Sequence, residues 1–207
     1  MMKKQQPLKF NPDSVSVRND PPPDRHIEIW TDGGTTHNGK ADSFGGWSFV
    51  AMEEDKPVIG FSNQVPGCCT NNRCEIMGVI AALITYGAPG VKLTIKSDSE
   101  YVVKTVNQWR LNWHRKKDQS SIKNKSLFEK LFHLVDTNNV KLEWVRGHSG
   151  ILGNEIADKW ATNAMHGKKP TPQQLEAAHF IYFDSIVGLD DEQGKVTTNS
   201  LQSILLK

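Results

Sequence analysis

Residues 91–98 read Val91-Lys92-Leu93-Thr94-Ile95-Lys96-Ser97-Asp98, and what brackets this strand decides the fold. Before it lies a strong helical pattern, with Ile76, Val79, Ile80 and Leu83 at i, i+3, i+4 and i+7. Thr70, Asn71 and Asn72 are candidate caps for that helix, and Gly87, Pro89 and Gly90 end it. After the strand a second helix is predicted from about Ser99. Strands joined through helical crossovers run parallel to one another.

Upstream, His26-Ile27-Glu28-Ile29-Trp30-Thr31-Asp32 alternates apolar and polar residues and reads as a first strand, with Gly33-Gly34 as its stop. Trp47–Met52 and Val58–Val65 read as two more strands, and Glu54-Asp55 marks the hairpin between them. Downstream, the Trp- and Lys-rich stretch 109–121 is a protruding loop or short helix. A third helix covers about 124–136, with Leu127, Leu131, Leu134 and Val135 on one face, and Lys141–Arg146 is a fifth strand. A Gly-rich loop from Gly147 to Gly153 leads to a last helix with Ile156, Ala157, Trp160, Ala161 and Ala164 inward. The order β-β-β-α-β-α-α-β-α predicts an α/β fold: a five-stranded mixed sheet of order 3-2-1-4-5, with helices on both faces.

The chain has 207 residues, 37% hydrophobic and 23% charged, enough for one core. Residues 1–25 are polar and Pro-rich and read as a flexible lead-in, residues 26–166 as the folded domain, and residues 167–207 as an extension of different composition. That extension, with Pro170, Pro172 and the acids Asp190, Asp191 and Glu192, either docks on the domain or binds a protein partner. No apolar run approaches the roughly 18 residues of a membrane span, and no apolar segment follows Lys3-Lys4. A cytoplasmic monomer without membrane contact is expected. Cys68, Cys69 and Cys74 are odd in number and lack zinc spacing, so they read as small buried or half-buried thiols.

Net charge is only +2, but from Lys104 to Lys130 eight basic residues face two acids, a surplus of six. A local basic patch is the footprint of a nucleic-acid partner, or else a solvated helix face.

The chemistry lies in carboxylates. In the predicted sheet the strand order reverses between strands one and four, and open α/β sheets place their sites at that reversal. Asp32 and Asp98, at the exits of those strands, would then face one crevice. Glu75, about one turn into the first long helix, and Asp158, in the first turns of the last, are allowed there but not required. Clustered carboxylates repel and resist burial unless a hard cation compensates them. Mg²⁺ suits oxygen ligands, and two ions about 3.5–4 Å apart serve phosphodiester cleavage.

Four segments in order resemble one family. Thr31-Asp32-Gly33-Gly34, Thr70-Asn71-Asn72-Arg73-Cys74-Glu75, Ser97-Asp98-Ser99, and Gly147-His148-Ser149-Gly150 followed by Gly153-Asn154-Glu155-Ile156-Ala157-Asp158 resemble type 1 ribonuclease H over about residues 26–166. The resemblance implies a ribonuclease H-like fold and sequence-independent cutting of the RNA strand of RNA–DNA hybrids, leaving 5′-phosphate and 3′-hydroxyl. It implies two Mg²⁺ ions, with Mn²⁺ as a substitute, held by Asp32, Glu75, Asp98 and Asp158. Asp32 would bridge both ions, Asp158 would join it at the ion that activates water, and Glu75 and Asp98 would complete the leaving-group side. His148 would assist proton transfer or product release from a mobile loop, a role suited to imidazole.

By the same resemblance, Thr35, Asn38, Asn71 and Asn72 match positions that contact 2′-hydroxyls, and Thr70 and Arg73 fit contacts to the strands' backbones. The stretch Trp109 to Lys117 resembles the family's basic protrusion, with Trp109, Arg115, Lys116 and Lys117 toward the DNA strand and Trp113 packed inward. Glu100 stands where the family often has Gln. Two alternatives are a DNA-cutting relative on the same fold and a binding module without turnover; the basic protrusion and Asn71-Asn72-Arg73 speak against the first, the four acids against the second.

Overall fold

The computed structural model describes residues 25–53, 56–67, 69–88, 90–115 and 121–168. The expectations for the N-terminal lead-in, for Glu54-Asp55, Cys68, Pro89, Lys116 and Lys117, and for the extension beyond residue 168 lie outside those residues. The elements are β1 (Arg25–Thr35), β2 (Phe44–Glu53), β3 (Lys56–Pro66), α1 (Asn71–Tyr86), β4 (Val91–Ser97), α2 (Glu100–Asn107), a 3-10 segment (Trp109–Arg115), α3 (Lys125–Thr137), β5 (Asn139–Trp144) and α4 (Leu152–Met165). The sheet order is β3-β2-β1-β4-β5, as the element order predicts. β1 and β2, and β2 and β3, pair antiparallel, whereas β1 and β4, and β4 and β5, pair parallel.

Strand alternation sorts the two faces. Ile27, Ile29, Trp47 and Phe49 point to one side and meet Ile76, Ile80 and Leu83 of α1, with Leu127, Phe128 and Leu131 of α3 behind them. Trp30, Val50 and Met52 point to the other side and meet Ala157 of α4. Because α1 is wedged between the sheet and α3, every residue from Ile76 to Leu83 is buried. None of the helices among the described residues is long and apolar enough to cross a membrane.

Three glycines read as punctuation in the sequence serve another purpose. Gly33 and Gly34 do not stop β1; the strand pairs with β2 through Thr35. A Cβ on Gly33 would lie 2.4 Å from the backbone of Cys74 and Glu75, so Gly33 lets α1 press onto the strand. Gly153 is not in the loop but in the first turn of α4, where a Cβ would lie 2.4 Å from the Trp30 ring. β5 also starts two residues earlier than its pattern suggests, directly after α3, and ends at Trp144. Asp32 therefore sits inside β1, opposite Ser48, rather than at its end.

The cysteine expectation holds for the two described thiols. Cys69 and Cys74 are buried thiols not joined in a disulfide, with their sulfurs 3.1 Å apart. They flank the Thr70 N-cap at the positions where apolar residues commonly staple a helix entry.

Candidate active site

Each acidic residue reaches the site from a different element. Asp32 leaves the middle of the sheet from β1, and its Oδ1 accepts the Gly33 N–H at 2.6 Å. Glu75 enters from the second turn of α1, carried in by the close approach at Gly33. Asp98 follows the last residue of β4. Carboxylate oxygens of these three residues lie within 4.8 Å of one another. Asp158 comes from α4, and its charge is among those that raise the Asp32 carboxyl.

The electrostatics follow from that crowding. Burial, then the charge of Asp98 and Asp158, push the Asp32 carboxyl up to about 7, against the pull of the Gly33 N–H. Burial first, then Asp32 and Asp98, drive Glu75 well above the usual carboxylate range. Asp98 is raised mainly by burial, with His148 partly opposing. Glu75 Oε2 is buried with no hydrogen-bond partner. Native proteins rarely leave such an oxygen orphaned, and a hard cation among the three carboxylates would satisfy it. The donor set is all oxygen, as Mg²⁺ or Mn²⁺ requires, so the residues present fit the expected metal.

The connection from β5 to α4 closes over this cluster. Gly147 lies so near Asp98 that a Cβ there would fall 2.5 Å from Oδ2. His148 adopts φ +50°, which turns its imidazole back toward the acids, with Nδ1 3.8 Å from Asp158 Oδ2. Glu155 Oε1 accepts the Gly150 N–H at 3.2 Å and ties the loop to α4. His148, Glu155 and Asp158 form a second group whose ligand atoms lie within 4.8 Å. Glu155 was legible only as the residue three before Asp158, on one helix face. Trp144, whose indole N–H donates to the Asp98 carbonyl at 3.0 Å, carried no sequence signal.

The expected substrate contacts cluster unevenly. Asn38 Oδ1 accepts the Asn71 N–H at 3.0 Å, and Thr70 Oγ1 accepts the Arg73 N–H at 3.3 Å. The loop after β1 is thus stitched to the start of α1, with Asn71 and Asn72 exposed beside it. Thr35 ends β1, and its buried Oγ1 has no hydrogen-bond partner. On the 3-10 segment, Trp113 packs edge-on to Phe128 and Phe132, the inward role expected of it. Trp109 is 44% exposed and Arg115 is exposed. Glu100 pairs with Lys104 at 3.1 Å, one turn along α2, so its charge is partly compensated.

The structure resembles LC9-RNase H1, described as a type 1 RNase H with the type 2 active-site motif, with a TM-score of 0.62 and 22% identity over 81% of this chain and 92% of that one. It also resembles the foamy viral protease-reverse transcriptase in complex with RNA/DNA hybrid, with a TM-score of 0.59 and 18% identity over 81% of this chain and 22% of that one. At those identities the likeness concerns the fold. The sequence is closer to curated relatives. Ribonuclease H of Bordetella pertussis is 36% identical over 151 residues, covering 70% of this chain and 92% of that protein. Ribonuclease HI of Campylobacter jejuni is 33% identical over 140 residues, covering 68% and 91%. The RNase H family model matches residues 24–166, the span that holds every element described above. By sequence and by fold alike, the chain belongs to the type 1 ribonuclease H family.

Proposed function

We propose that the protein is an endoribonuclease that hydrolyses the RNA strand of RNA–DNA hybrids, largely without sequence preference, using two Mg²⁺ ions for which Mn²⁺ can substitute. The observation that carries this reading is the convergence of Asp32, Glu75 and Asp98 within 4.8 Å, with one Glu75 oxygen buried and unpartnered. Asp32, Glu75, Asp98 and Asp158 would hold the cations, which would neutralise charge on the scissile phosphate and lower the pKa of water.

The chain's own residues do the rest. The Gly33 N–H fixes one oxygen of Asp32, leaving the other free for the site. The oxygen of an attacking water bonds to phosphorus, and the P–O3′ bond breaks. The proton taken by O3′ gives a 3′-hydroxyl, and the other fragment keeps a 5′-phosphate. His148, at the mouth of the cluster beside Asp158, serves proton transfer or product release. Thr35, Asn38, Asn71 and Asn72 are assigned to the 2′-hydroxyl side, and Thr70 and Arg73 to the strands' backbones. Trp109, Arg115, Lys116 and Lys117 take the DNA strand. Asn38 reaches that surface with its Oδ1 already committed to Asn71, so its Nδ2 is the group left to face a ligand.

The test is cleavage of a labelled hybrid. The protein in Mg²⁺ should cut the RNA strand only, and chelator, Asp32→Asn or Asp98→Asn should abolish cutting. Persistent cleavage by either variant, or equal cutting of duplex DNA, overturns the reading.

A further inference from the structure

Asp98 lies between two elements and belongs to neither, since β4 ends at Ser97 and α2 begins at Glu100. The sheet ladder therefore stops one residue short of it. The helix entry gives little support either, because Ser99, the N-cap of α2, makes no side-chain capping bond. Within the turn, Ser97 Oγ accepts the Ser99 N–H at 3.1 Å, and the rest of what holds this peptide comes from the next strand. Val145 N–H donates to the Ser97 carbonyl at 3.0 Å, which carries the β4–β5 pairing to its last rung. One residue earlier, the Trp144 indole N–H donates to the carbonyl of Asp98 itself at 3.0 Å.

The Trp144 ring is an odd choice for packing. It is 49% exposed at the end of β5, whereas Trp30 and Trp47 are buried in the core. Its contribution to the fold through burial is correspondingly modest. The indole N–H is a single donor with no acceptor function, and here it is spent on a backbone carbonyl one peptide from a carboxylate of the cluster. Fixing that carbonyl fixes the rotation of the Asp98 peptide, and with it the direction in which Cβ leaves toward Glu75 and Asp32.

We infer that Trp144 is a positioning residue for the metal site: its indole clamps the Asp98 backbone so that the carboxylate is aimed before a cation arrives. This rests on the reading of Asp98 as a metal ligand. Groups that orient a ligand from behind are commonly worth 10- to 100-fold in metal affinity. Trp144→Phe keeps an aromatic ring at the strand end and removes the donor together with part of the ring.

Calorimetric titration of the hybrid-free protein with Mn²⁺ reads the effect directly. Trp144→Phe should bind about 10-fold more weakly, while its thermal midpoint in chelator stays with the parent's. The Mn²⁺ concentration giving half-maximal hybrid cleavage should rise by the same factor, with KM for hybrid unchanged. Linkage supplies a second measurement that needs no variant. If the clamp strengthens cation binding, the cation must strengthen the clamp equally. Hydrogen exchange of the Trp144 indole N–H, followed by NMR, should therefore slow about 10-fold when Mg²⁺ is added. Equal Mn²⁺ affinity in parent and variant, or indole exchange that ignores Mg²⁺, overturns the inference. A parent protein that binds no cation would instead overturn the functional reading on which it rests.

Discussion

Asp32 is a carboxyl that takes up a proton when the metal-free chain folds, because its folded value of about 7 lies above the ordinary 3.8 of an aspartate. A group of this kind favours the folded state at low pH, and its contribution is lost as pH rises from about 4 to about 7. Urea denaturation in chelator should show the protein less stable at pH 8 than at pH 5. Asp32→Asn should remove much of that slope and stabilise the chain at pH 8 by on the order of 2 kcal/mol, while abolishing hybrid cleavage. A variant that is both inactive and less stable would contradict the electrostatic account. His148 makes the opposite prediction. Its imidazole faces Asp158 across 3.8 Å but is exposed, so His148→Ala should lower kcat by about 10²-fold and leave Mn²⁺ affinity at the parent's value. Legibility at this scale was uneven. Asp32 and Asp98 followed from the strand-order reversal. Glu75 and Asp158 followed only from resemblance, because apolar periodicity gives a helix its buried face but not its crossing angle over the sheet. Trp144 could not be read, since its bond crosses from β5 to the turn after β4, and the sequence predicts which strands pair but not their residue-by-residue register.

At the scale of elements, the strands and helices were legible because their apolar periods are clean, as in Ile76, Val79, Ile80 and Leu83. Glycine was read well at the end of α1, where Gly87 is the C-cap, and misread at Gly33 and Gly153, which like Gly46 stand where a helix touches the sheet. On Gly46 a Cβ would lie 2.2 Å from the Ala161 carbonyl of α4. A turn glycine and a contact glycine look alike in sequence, because what separates them is a neighbour far along the chain. The two kinds should behave differently on substitution. Gly33→Ala drives a Cβ into α1 backbone and should cost about 3 kcal/mol or more by denaturant titration, displacing Glu75 as well. Gly67→Ala meets nothing within 4 Å and suffers only its φ of +70°, so about 1–2 kcal/mol is expected. Equal costs at both positions would rule out the contact explanation.

At the scale of the whole molecule, the basic surplus between Lys104 and Lys130 is less available than its count suggests. Lys104 pairs with Glu100, Lys125 with Glu129, and Arg110 with Asp136 while lying over the Phe132 ring. Arg115 bonds to the neutral Asn112 and stays exposed. The salt dependence of hybrid binding should report this division. Neutralising Arg115, Lys116 and Lys117 should flatten the slope of log affinity against log salt by roughly 0.7–0.9 per lost contact. Arg110→Gln should leave the slope nearly unchanged. Neither difference would survive if the segment faced away from the duplex.

The acids of the site arrive on β1, α1, the β4–α2 turn and α4, and the last of them is also the last element among the described residues. A chain emerging from the ribosome thus displays Asp32, Glu75 and Asp98 well before Leu152–Met165 is released. During that interval Trp30, Val50 and Met52 have no cover, since it is α4 that packs on them. On the proposed reading the nascent protein would be unable to cut nucleic acid while its apolar face lies open, and one event would end both conditions: docking α4 seals that face and delivers Asp158 in the same movement.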